Sequence, residues 1–282
     1  MHDVGVNHVG TFQSLLQVAG PSDLVTSELC FYHIDLPGHS SGAGEPAGAV
    51  RDGQFSVDDI AGVVGAVVSH FNLREPLGMG VGLGALALAL HGARAEAAGR
   101  GRLCGLVLIS PAVRRAGMWE GWYGRAACAS LRVKGHNHVS TSYVLQRLFA
   151  NGVQSAFRME NDLERTHRGD VTALDADVLR RYLDAGLSRD GSLLSAELLR
   201  GLTEARVLLV VGEGSTFEGE GMELSEAVNA YRVRHGMKPR GSMTVVRVAA
   251  AGTLVTVQRP DAVIKPLGGF IRHLQQFGYC MS

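Results

Sequence analysis

The 282-residue sequence predicts an α/β fold in which helices cover both faces of a mainly parallel sheet. Three observations carry that expectation. Apolar runs of strand length alternate with helical patterns along most of the chain. One run, Leu103-Cys104-Gly105-Leu106-Val107-Leu108-Ile109-Ser110, is almost unbroken in its apolar character, as a strand buried on both sides of a parallel sheet requires. A third run, at Leu77, turns sharply through glycines into an Ala/Leu-rich helix.

Residues 29–36 read as a first strand, ended by Pro37-Gly38, and a Gly/Ser/Ala/Pro loop follows from His39 to about Gly53. A helix starts at Ser56 and continues to His70, with Ser56 and Asp59 in capping-box positions. The strand at Leu77 and a helix over 85–91 come next, then the strand over 103–110, stopped by Pro111. From about 114 to 202 strands disappear and helical spacing dominates, as in Leu145, Leu148 and Phe149, or Leu179, Tyr182 and Leu183. This stretch is expected to be a helical cap insertion over the sheet of one domain spanning 1–282. Strands over 205–212 and 243–248 and a closing helix from Pro260 to about Phe277 complete the pattern.

With 46% apolar residues the chain can bury a single core. Lys+Arg and Asp+Glu both number 27, so no overall field draws the molecule to nucleic acid or an anionic membrane. Cys30, Cys104, Cys128 and Cys280 show no C-x-x-C or zinc spacing and are expected as free thiols in a reducing compartment. The N-terminus has no basic-then-apolar signal, which points to the cytoplasm. The uncharged stretch over 76–93 has the length of a membrane span, but its dense glycines favour a buried strand and helix.

The run Gly80-Val81-Gly82-Leu83-Gly84 has the strand–turn–helix context of a G-x-S-x-G nucleophile elbow, with glycine where the serine belongs. Glycine has no oxygen to acylate, so the acyl-enzyme route is closed. Asp35-Leu36-Pro37-Gly38-His39 resembles the D-x-P-G-H loop of α/β hydrolases. In such enzymes the acid follows a late strand in a G-x-x-D loop. Here Gly212-Glu213-Gly214-Ser215 places Ser215 at that position, with Glu213 and Glu218 read as solvated loop carboxylates. The base is a histidine seven residues before a proline, where this chain has Thr253 ahead of Pro260. All three triad roles are therefore expected to be vacant. Ser110, Ser40 and Ser41 are alternative nucleophiles without an evident base. Gly80-x-Gly82-x-x-Ala85 also fits a dinucleotide fingerprint, but the next strand ends in Ile109-Ser110-Pro111, with no acid for a ribose. His136, His138 and His39 lack partners at ligand spacing, so no metal site is expected, and no cofactor. Arg168-Gly169-Asp170 is read as a chance tripeptide.

Taken together these residues resemble the N-myc downstream-regulated (NDRG) family. His2-Asp3-Val4-Gly5-Val6-Asn7-His8 is similar to its H-D-x-G-x-N-H loop, and Phe12-Gln13-x-Leu15-Leu16 continues the match. So do His33-x-Asp35-x-Pro37-Gly38, the glycine elbow through Ala85, Gly105-Leu106-Val107-Leu108-Ile109, Gly117-x-Trp119-x-x-Trp122, Val210-Val211-Gly212 and Gly278-Tyr279. The resemblance implies an α/β-hydrolase fold without a working triad, and a vestigial pocket bordered by His2, Asp3, Gly5, Asn7, Gly80 and Leu83. It implies a non-catalytic protein working through protein contacts in signalling, stress response or trafficking, with room for a small molecule or lipid. The alternative is a hydrolase with a relocated site, such as Ser110 with a histidine from the insertion. The resemblance also implies three strands ahead of the first loop, the third lying between the strands at 29–36 and 77–81. The chain as written opens at that loop, so those two strands are expected to flank a gap. The Ser/Thr/Arg-rich tail of several animal members does not follow Met281-Ser282, so regulation through it is not carried over.

Overall fold

The computed structural model describes residues 1–20, 23–40, 56–99, 101–149, 162–189, 194–237 and 242–276. Ser41, Cys280 and the Gly278-Tyr279 pair lie outside the described residues.

The chain opens with α1 (His8–Ala19) and a single turn, α2 (Leu24–Ser27). The Asn7 side chain accepts the Gly10 N–H and caps α1. Next comes α3 (Val57–His70), where Ser56 and Asp59 form the capping box reciprocally. β1 (Leu77–Val81) leads into α4 (Leu83–Ala98), which ends at Gly99 in the left-handed conformation. β2 (Gly105–Ile109) is followed, among the described residues, by five helices: α5 (Met118–Lys134), α6 (His138–Leu148), α7 (Asp162–Ala173), α8 (Ala176–Leu187) and α9 (Ala196–Glu204). β3 (Val207–Gly212), α10 (Glu218–Arg234), β4 (Met243–Val248), the short α11 (Val255–Gln258) and α12 (Pro260–Gln276) are the last of the described elements.

The four strands form one parallel sheet in the order β1-β2-β3-β4. β2 and β3 are buried throughout, which is why they read as continuous apolar runs. Gly105 faces Phe270 and Leu274 of α12, whereas Leu106, pointing the other way, packs against Gly92 of α4. Helices therefore cover both faces. On the α4 side, α3 and α9 flank α4, and α9 touches α10. The stretch over 76–93 is β1 and the buried half of α4, and no described helix is long and apolar enough to cross a membrane.

Two expectations are corrected. Residues 29–36 do not form a strand. A strand exists only by pairing, and the place beside β1 is taken by Met1, whose carbonyl accepts the Val81 N–H at 3.2 Å. The segment runs outside Met1 and His2, leaving Phe31 and Tyr32 exposed and the Tyr32 ring tilted against Phe71. Cys30 and Cys128 are free, but Cys104, just ahead of β2, is disulfide-bonded, not a free thiol.

Candidate functional site

The elbow keeps its backbone form. Gly82 sits at φ +56°, ψ −116°, between β1 and the first turn of α4. Only glycine holds that conformation without strain. Each glycine of the run also meets a different neighbour. A Cβ on Gly80 would stand 2.7 Å from the Gly84 backbone, and one on Gly84 would strike the His2 carbonyl. A Cβ on Gly82 would land on the Asp3 carboxylate, its Cγ and Oδ2 nearest.

That last contact defines the site. Asp3 is fully buried, and its Oδ1 accepts the Leu83 N–H at 2.9 Å. In an elbow, the N–H of the residue after the nucleophile is a donor to the oxyanion of a tetrahedral intermediate. Here Asp3 holds that donor and also fills the volume of the missing serine. Arg147 of α6, itself buried, reaches the same Oδ1 through Nη2 at 3.3 Å. Burial pulls the Arg147 pKa down, but the neighbouring Asp3, Tyr143 and Glu120 more than offset this, so it stays charged. Arg189, with its side chain fully buried just after α8, donates to Glu120 (2.9 and 2.8 Å) and to Glu220 (3.2 Å). Phe217 lies against both guanidinium groups, 4.6 Å from Arg147 and 5.6 Å from Arg189. Burial raises the Glu120 pKa less than hydrogen bonds and charge from Arg189 lower it, so the net shift is downward, whereas burial lifts Glu220.

The acid and base positions do meet. Ser215 Oγ and Thr253 Oγ1 are 2.8 Å apart and buried, and Ser215 Oγ also accepts the Phe217 N–H at 3.1 Å. Two hydroxyls of this kind neither hold an imidazolium nor take a proton near neutral pH.

The first loop is a packed assembly. His2 is buried; its Nε2 accepts the Leu36 N–H at 3.0 Å, so Nδ1 carries the proton it gives to the Asp3 carbonyl at 2.7 Å. Burial, only partly offset by the Asp3 carbonyl and Asp35, pushes its pKa down to about 4. His39, between His2 and Tyr182 at ring distances of 5.0 and 4.6 Å, is pushed down by burial to about 3. Both rings are neutral at pH 7. Asp35, the acid of the D-x-P-G-H loop, accepts the His8 N–H at 2.8 Å and the His8 ring nitrogen at 2.7 Å. These bonds outweigh burial and lower its pKa. Gly5, at φ +86°, packs against Val144 and Val171, where a Cβ would collide with Val144.

Of the expected pocket residues, the structure brings Asp3, Gly80 and Leu83 together around Gly82 of the elbow, with His2 directly behind them. Asn7 is instead the cap of α1, away from the elbow. The other candidates are structural. Ser110 Oγ accepts the Gly212 N–H at 3.3 Å and has no histidine partner among the described residues. Ser40 hydrogen-bonds Asp35. Glu213 and Glu218 pair with Arg247 at the surface. His136 Nε2 bonds the Leu174 carbonyl at 2.7 Å, and no group of three potential metal ligands occurs among the described residues. Arg147, Arg189, Glu120, Glu220 and Phe217 escaped the sequence reading, since no local pattern links them.

The comparisons with known proteins give the fold and the family. The chain is similar to a thermophilic esterase from Thermogutta terrifontis (TM-score 0.69, 16% identity, 97% of this chain and 88% of that one). It is also similar to an enol-lactonase from Burkholderia xenovorans (TM-score 0.65, 18% identity, 95% and 89%). At such identity the likeness establishes the α/β-hydrolase fold alone. In sequence it is 26% identical to the pollen-specific protein SF21 of Helianthus annuus over 99% of this chain and 74% of that protein. It is 28% identical to NDL1 of Arabidopsis thaliana (95% and 72%) and 27% identical to NDRG3 of Xenopus laevis (100% and 69%). The model of the Ndr family matches residues 1–281, and the chain belongs to the Ndr family.

Proposed function

We propose that this chain is a non-catalytic pseudo-hydrolase that works through protein contacts, as an adaptor in signalling, stress response or trafficking in the cytoplasm. The observation that carries the non-catalytic reading is the Asp3 carboxylate. It sits on the Leu83 N–H and in the volume a nucleophile would fill, over a glycine. The Ser215–Thr253 hydroxyl pair supports it, because neither hydroxyl can act as a general base near neutral pH. With the elbow filled from within, the rigid sheet serves as a scaffold, and its loops and the helices between β2 and β3 present the working surface. A small molecule or lipid reaching the residual pocket would be held and not turned over.

The test is steady-state hydrolysis of short- and long-chain p-nitrophenyl esters by the purified chain. The expected rate equals the buffer blank with Asp3 intact. Saturable turnover that disappears in Ser110→Ala would overturn the reading in favour of a relocated site.

A further inference from the structure

Helix α5 is built inside out. The face it turns to the core is made of Gly121, Gly124, Ala127, Cys128 and Leu131, mostly small residues. Gly124 lets Leu187 and Tyr143 approach so closely that a Cβ would stand 2.6 and 2.8 Å from them. The helix's largest apolar side chains point the other way: Met118, Trp119 and Trp122 are 77%, 81% and 75% exposed. An amphipathic helix whose only partner were the core would carry the reverse arrangement. Clustered exposed aromatics of this kind mark an interaction surface.

The charges around the cluster specify its partner. Arg125, Arg132 and Lys134 lie exposed on the same helix, and Arg115 is exposed just ahead of it. The one acid of α5, Glu120, is turned inward to Arg189 and Arg147. The outer surface of α5 is therefore apolar and cationic over about 25 Å of helix. Side chains three-quarters or more exposed stand proud of the surface and offer no walls to grip a peptide. A protruding Trp pair with Arg115 and Arg125 close in sequence, and Arg132 and Lys134 further along the same helix, suits the headgroup level of a bilayer, where indole rings partition and cations meet anionic lipid. The balanced net charge means this attraction is local to α5.

We propose that the outer face of α5 docks the protein peripherally on anionic lipid surfaces, with Trp119 and Trp122 inserted at the interface. The proposal does not depend on whether the elbow is catalytic.

The chain contains two tryptophans, both in this cluster, so its intrinsic fluorescence reports on the face directly. The experiment titrates the protein with phosphatidylcholine vesicles with and without about one-third phosphatidylserine. The expected result is a blue shift and quenching by acyl-brominated lipid on the anionic vesicles, reversed by salt. Arg125→Glu/Arg132→Glu keeps both reporters and should weaken binding by about tenfold or more, since each surface cation contributes about fivefold. Trp119→Ala/Trp122→Ala, followed by co-sedimentation, should bind even less while melting like the wild type. Absence of binding at about 1 mM lipid, where an interfacial helix with two anchoring terms associates measurably, would overturn the proposal. So would equal binding by the variants. A blue shift produced only by self-association or by an acidic peptide would also overturn it and assign the face to a protein partner.

Discussion

At position 82 the loss of a side chain and the gain of a neighbour are one event: the space a serine would occupy holds the Asp3 carboxylate. Gly82→Ser therefore meets two penalties, a left-handed backbone and an overlap with Asp3. It should destabilise the protein by about 2–5 kcal/mol in urea unfolding. In an Asp3→Ala background the overlap is gone, so the double variant should be more stable than the sum of the singles by about 1 kcal/mol or more. Simple additivity would mean that Asp3 and residue 82 do not compete for space. Arg189 gives a second test. Its side chain is fully buried and bonded to Glu120, Glu220 and the Gly186 carbonyl. Arg189→Ala takes the main cationic partner from two largely buried carboxylates, leaving Glu120 only the longer Arg147 contact and Glu220 the Arg114 N–H, and should cost about 3–5 kcal/mol, whereas a loss within about 0.5 kcal/mol would show that water reaches the cluster.

Among the elements, the loop from Met1 to Asn7 and the segment around Leu36–His39 are locked by neutral imidazoles, and this sets a pH dependence. The folded pKa values of His2 and His39, about 4 and about 3, lie below the unfolded value of 6.5. Above pH 6.5 neither state binds these protons, and the full stability is present. Between pH 6.5 and about 4 the unfolded chain takes up two protons that the folded chain does not. Stability should then fall by up to about 2.7 kcal/mol per pH unit, twice the value for one proton. The lowered pKa values of Asp35 and Glu120 add a loss of the same sign at lower pH. His39→Leu removes one proton from the linkage, and the slope from unfolding at pH 6.5, 5.5 and 4.5 should flatten by up to about 1.4 kcal/mol per pH unit. An unchanged slope would show that His39 is not held neutral. The elements also show what could be read in advance. β2, β3 and β4 and the Ser56 cap were legible because burial, periodicity and capping are local properties. Residues 29–36 look like a strand by the same local rules, but strand status depends on the partner, and Met1 holds that place. Helix α1 had a local signal that went unread, Asn7 as its cap. The Asp3–Arg147 contact spans 144 residues and the Arg189–Glu120 pair 69. No spacing rule reaches that far, so which residues stand at the elbow, acid and base positions was legible while the Asp3 contact over Gly82 was not.

On the scale of the whole molecule, an α/β-hydrolase framework retains its parallel sheet, its elbow and the meeting of its acid and base loops, yet fills the reaction centre with its own side chains. The helices between β2 and β3 contribute to that filling, because Arg147 on α6 and Glu120 on α5 reach down to the first loop and to Arg189. α5 thus anchors the plug on its inner side and presents the tryptophans on its outer side. A catalytic hydrolase would need Asp3 to leave the Leu83 N–H whenever substrate binds, uncovering the buried Arg147 charge. The most direct test is intact-mass analysis after a fluorophosphonate probe is applied to the wild type and to Gly82→Ser, each first shown to be folded by a cooperative melt. The account predicts no adduct on either protein, because Asp3 holds the oxyanion donor and Thr253 cannot act as a base. A stoichiometric adduct, on Ser110 in the wild type or on residue 82 in the variant, would contradict it.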